Sequence, residues 1–239
     1  MPSHKVHAIV GKLVLGFSAK EIDDIVDRYK HDLARINCRE FFNQVSIIYK
    51  KYGEKGISYF ALHHYLDKLT SVMRGRMTKL LFRGSNLDEI KKRFIYEVRE
   101  GLLNEVSVLS LFTNILHEQF LYTPKNQEYF HAYLYREMLV ERGEYSKSTA
   151  RRKANLLLEI ASECREAMEE IKRTYSSDYE FFAFMKIIKN SILEAEGGVF
   201  GNLDKIMCII LTEDAQIWRR YFGQDRYNKI LNVINCNKI

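Results

Sequence analysis

The sequence predicts an all-α fold, a multi-helix bundle, from three observations. Only two prolines, Pro2 and Pro124, occur in 239 residues. Proline removes a backbone donor and clashes with the preceding turn, so its scarcity leaves long helices open. Apolar residues recur at three- and four-residue spacings along most of the chain, and no stretch alternates as a half-buried strand does.

Ser3 is placed to cap a helix over residues 4–15, with Val6, Ile9, Val10 and Leu13 on one face and Gly16 closing it. Ser18 and Glu21 have the spacing of a capping box, opening a second helix to about Ile36 whose stripe is Ile22, Ile25, Val26, Tyr29 and Leu33. A third helix is expected over 39–52, with Phe41, Phe42, Val45, Ile48 and Tyr49 inward. A fourth is expected over 57–73, with Phe60, Leu62, Tyr65, Leu66 and Leu69 inward. Gly53 and Gly56 mark the turn between them.

The basic stretch RGRMTKLLFRGSN (74–86), punctuated by Gly75 and Gly84, divides the chain into a helical region 1–84 and a longer one, 85–239. Helical patterns then run to about 121 and over 126–142, 148–175, 178–195, 203–211 and 214–235. EGGVFGN (196–202) lacks the lysine and hydroxyl residue of a phosphate loop and reads as a helix–helix turn.

A hydrophobic content of 46% with 28% charged residues belongs to a globular chain rather than a disordered one. No apolar run reaches the length of a membrane span, so no membrane association is expected. The N-terminus carries no small-residue cleavage site, so a secretory signal is not expected either. Cys38, Cys164, Cys208 and Cys236 are far apart with no Cys-x-x-Cys pair. That spacing is neither a zinc ribbon nor a disulfide framework, and reduced thiols in the cytoplasm are the expectation. The net charge of +6 mildly favours a polyanionic partner.

Histidines are distributed unevenly. Five of the seven, His4, His7, His31, His63 and His64, fall within the first 64 residues. His4 and His7 share a helix face, and either His63 or His64 can share one with Asp67. His31 and Asp32 are adjacent, about 100° apart around a helix, and converge on one ion only if the helix passes tangentially. Each piece of the set lies on a different predicted helix. His117 and His131 stand alone and read as surface or satisfied core groups.

The order of a histidine, then a His-Asp doublet, then a later aspartate on separate helices resembles the HD superfamily of metal-dependent phosphohydrolases. The resemblance covers about residues 4–69. It implies a lead ligand at His7, with His4 the alternative, a doublet His31-Asp32 and a final ligand Asp67. His63 and His64 stand where many members hold a second ion. It also implies one or two divalent ions (Mn, Fe, Zn or Mg) and a phosphoester substrate. Mixed imidazole and carboxylate donors suit such ions. Of the nearby cations Lys30, Arg35 and Lys68, Arg35 has the planar fork that fits phosphate.

The expected function is therefore hydrolysis of a nucleotide or nucleic-acid phosphoester, with Asp32 and Arg35 at the reaction. Two other readings stand beside it: a non-catalytic helical nucleic-acid-binding protein using 74–93 and 149–153, and a helical assembly protein. TARRKAN (149–155) sets three cations early in a long helix, against its macrodipole. YFHAYLYREM (129–138) reads as core or a subunit interface, and so as the place for a homo-oligomer contact. WRRYFGQDR (218–226) is a weaker candidate for nucleic-acid contact.

Overall fold

The computed structural model describes residues 1–28, 37–80, 87–103, 109, 136, 140 and 146–236. Among the described residues there are nine helices and no strand, so the chain is all-α as its periodicity predicts. They are α1 (His4–Leu15), α2 (Lys20–Arg28), α3 (Cys38–Leu80), α4 (Leu87–Leu103), α5 (Lys147–Lys172), α6 (Asp178–Gly201), α7 (Leu203–Glu213), α8 (Ala215–Phe222) and α9 (Gln224–Ile234). No described helix is long and apolar enough to cross a membrane.

The chain forms two compact units that interleave along the sequence. Unit 1 comprises Met1–Asp23, Ser58–Glu105 and Glu194–Ile239, and unit 2 comprises Asp24–Ile57 and Val106–Leu193. The basic segment at which a boundary was expected lies partly in 81–86, outside the described residues.

In unit 1, α1 starts as its sequence dictates. The Ser3 side chain accepts from the Val6 amide, and Gly16 ends the helix in the left-handed region. Val6, His7, Val10, Gly11 and Leu15 form its buried face. α1 packs on α7, α7 on α8 and α9, and α9 on α4. The Ser3 amide donates to Asp214 Oδ2 at 2.9 Å, fixing the start of α1 at the junction of α7 and α8. Trp218 is buried, and its Nε1–H donates to the Ile210 carbonyl at 3.1 Å. The Arg74 guanidinium lies 5.8 Å from the Trp218 ring centre and 5.2 Å from that of Tyr221. Trp218 and Phe222 of WRRYFGQDR are thus core, while Tyr221 is exposed.

In unit 2 the first part of α3 buries Cys38, Phe41, Phe42, Val45 and Ile48. Tyr49 meets Phe184 of α6 with ring centres 5.2 Å apart. Arg39 donates to Glu170 of α5 at 2.6 Å.

Three features differ from the sequence reading. The predicted 214–235 helix is divided at Gly223, φ 81°, into α8 and α9, whereas α3 leaves helical geometry at Gly53 (φ 63°, ψ −153°), where the turn between the third and fourth predicted helices was placed. EGGVFGN does not turn at its glycine pair; α6 runs on to Gly201, and a Cβ on Gly198 would overlap the Val14 side chain of α1. The cysteines are paired, Cys38 with Cys164 and Cys208 with Cys236, rather than reduced. The partners are 126 and 28 residues apart, so no local spacing announces them.

Candidate metal centre

Four polar side chains of unit 1 are buried together: His7 of α1, Asp23 of α2, and His63 and Asp67 of α3. Their placement follows from helix geometry. Tyr59, His63 and Asp67 succeed one another at four-residue steps, so they line one face of α3. His7 and Gly11 are four apart on α1. A Cβ at Gly11 would overlap the Tyr59 ring, so this glycine lets α1 approach α3 closely enough for the histidines to meet. The rings of His7 and His63 stack with centres 3.9 Å apart and planes inclined at 28°.

The two imidazoles are bracketed by the two aspartates. On one edge, His63 Nδ1 lies 2.8 Å from Asp23 Oδ1, and Tyr59 Oη donates to Asp23 Oδ2 at 3.0 Å. His7 Nδ1 stands 3.8 Å from the same Oδ1. On the other edge, His63 Nε2 is 3.4 Å from Asp67 Oδ2 and His7 Nε2 is 3.6 Å from Asp67 Oδ1. One donor atom from each of His7, His63 and Asp67 lies within 4.8 Å of the others. These three residues can hold a metal ion.

Protonation suits that role. Burial pulls the His7 pKa below its ordinary value, against the opposing pull of Asp67, and so favours the neutral ring. Burial pushes Asp67 up, but the His63 and His7 imidazoles outweigh it and hold the carboxyl well below the usual carboxylate range. Neutral imidazole and ionised carboxylate are the forms that bind metals. The Asp23 carboxylate at His63 Nδ1 orients that ring with its Nε2 edge toward Asp67. Metal-bound histidines are oriented in the same way, by a carboxylate on the far nitrogen. Burial and then the Asp23 charge raise the Tyr59 pKa, keeping its hydroxyl a donor.

Of the residues expected from sequence, His7, His63 and Asp67 come together. His64 is buried beside them, but its ring centre is 5.9 Å from that of His63 and it meets the Phe60 ring edge-on at 4.7 Å. His4 is 6.4 Å from His7, ring centre to ring centre. His31, Asp32 and Arg35 lie outside the described residues, as do His117 and His131.

Asp23 and Tyr59 were not anticipated. A signal existed in each case: Asp23 is an acid three residues before Val26 on an apolar stripe, and Tyr59 begins the four-residue series through His63 and Asp67. Comparison with protein-family models, with curated proteins and with solved structures gave no match to this chain.

Proposed function

We propose that His7, His63 and Asp67 bind a divalent ion and that this centre serves hydrolysis of a phosphoester. The observation carrying the reading is the buried convergence of two imidazoles and a carboxylate within 4.8 Å. Neither ring nitrogen of His7 makes a hydrogen bond among the described residues. The nearest carboxylate oxygens, Asp67 Oδ1 at 3.6 Å from Nε2 and Asp23 Oδ1 at 3.8 Å from Nδ1, leave both bonds long, and an ion at Nε2 would give that nitrogen a close partner. A divalent ion would polarise a phosphoryl oxygen and acidify water at the site. Asp23 would hold the His63 tautomer, Tyr59 would hold Asp23, and Asp67 would supply negative charge. The resemblance to HD phosphohydrolases supports the substrate class through His7 and Asp67.

Burial favours a second reading. His7 and His63 are 1% exposed and Asp67 8%, whereas a catalytic ion needs one coordination position open to substrate. In that reading the ion ties α1 to α3 without turnover. An aryl phosphodiester and an aryl phosphomonoester, offered with Mn²⁺, separate the two. Hydrolysis lost in Asp67→Asn with helical circular dichroism retained supports the enzyme. Metal-dependent melting without hydrolysis assigns the structural role.

A further inference from the structure

Within unit 2, a cleft of about 730 Å³ opens at the start of α5. Its described lining includes Arg136, Lys147, Arg151 and Arg152, the polar side chains of Ser148 and Asn155, and a single apolar residue, Val140. No carboxylate is among them. Here like charges converge on one concavity, which raises the local positive potential and concentrates anions.

The surrounding chemistry has the same sign. A helix N-terminus presents positive partial charge, and acidic residues are the stabilising choice there. α5 has no acid in its first turn, and its cap is the neutral Ser146, which accepts from the Thr149 amide. Lys147, Arg151 and Arg152 are exposed, so they reach a ligand without any rearrangement of the core. Guanidinium forks match phosphate oxygens in pairs, and the volume is that of a small-molecule site. No aromatic ring lines the described part of the cleft, so nothing there stacks a base.

We propose that this cleft binds a small polyphosphate, a group of two or three linked phosphates, with Arg151 and Arg152 as its principal contacts. The proposal stands independently of the metal centre.

The test is calorimetric titration of the full chain with tripolyphosphate at fixed ionic strength. EDTA is present throughout, so that no metal at the other site can capture the ligand. One-to-one binding is expected in wild type. Arg151→Ala with Arg152→Ala should weaken it about tenfold per lost guanidinium. Arg173→Ala with Lys186→Ala removes the same charge from exposed positions outside the described cleft lining and should leave affinity unchanged. Circular dichroism confirms that both double variants fold. Absence of binding in wild type overturns the proposal, and so does equal weakening in the two variants. An oligonucleotide without terminal phosphates that binds as tightly, and loses as much in the Arg151/Arg152 variant, would assign the cleft to nucleic-acid backbone and overturn the small-ligand class.

Discussion

Two groups of polar side chains in this protein meet water in opposite ways. His7, Asp23 and His63 are 1% exposed and Asp67 8%, whereas Lys147, Arg151 and Arg152 stand in solvent. In the buried group every orientation is set by a neighbour: Tyr59 holds Asp23, Asp23 holds His63, and His63 stacks on His7. In the exposed group geometry is loose and charge does the selecting. A buried polar network specifies a geometry but is costly to leave incomplete. An exposed cationic cleft is tolerant to mutation, and its interactions weaken with salt. The two regions should therefore respond oppositely to substitution and to ionic strength.

The covalent ties between distant segments set the largest expected effect. The Cys38–Cys164 bridge in unit 2 spans 126 residues and the Cys208–Cys236 bridge in unit 1 spans 28. Loop-closure entropy makes the first worth about 5 kcal/mol and the second about 3.5 kcal/mol. Under oxidising conditions Cys38→Ala should melt well below Cys236→Ala, and a reductant should erase most of the gap. Equal melts would mean that neither the loop length nor the unit matters.

Next comes the buried network. Asp23→Ala removes the acceptor of both the Tyr59 hydroxyl and His63 Nδ1, leaving two buried donors. A loss of about 2–5 kcal/mol is expected in urea unfolding, with metal or without. Tyr59→Phe leaves one Asp23 oxygen with a partner fewer and should cost about 1–2 kcal/mol. Coupling between the two substitutions, measured as a double-mutant cycle, should be nonzero because they share one contact.

Metal removal comes third. A ligand that binds only the native state at a hundredfold excess over Kd stabilises it by about 2.7 kcal/mol. For a chain of this length that is roughly 5–10 °C of melting temperature, lost on adding EDTA. At the exposed cleft, by contrast, Arg151→Ala should shift stability by no more than about 0.5 kcal/mol.

Much of the fold could be read from the residues. Ser3 and Gly16 define the ends of α1, Val6 and Val10 are buried as its stripe predicts while Leu13 is exposed, and Ile22 and Val26 give the buried face of α2 correctly. Gly53 and Gly56 read as a turn, and the backbone of α3 does leave helical geometry at Gly53. Gly223, at φ 81°, divides the predicted 214–235 helix into α8 and α9, a break that a lone glycine permits but does not announce. At the metal centre, the histidine count drew attention to His7 and His63, and helical spacing joined Asp67 to them. Asp23 escaped because surface acids are common on helices, and only packing shows which acid is buried. The cysteine pairs escaped because proximity at 126 residues of separation is a property of the fold alone.

The most direct measurement is metal content and melting temperature on the same protein, purified without a histidine tag and exposed to Mn²⁺ and Zn²⁺. About one divalent ion per chain is expected, with a melt that falls on EDTA treatment. In Asp67→Asn both the ion and the EDTA response should disappear while the helical signal persists. A metal-free wild type whose melt ignores EDTA would contradict the account, leaving the four buried side chains as a purely internal network.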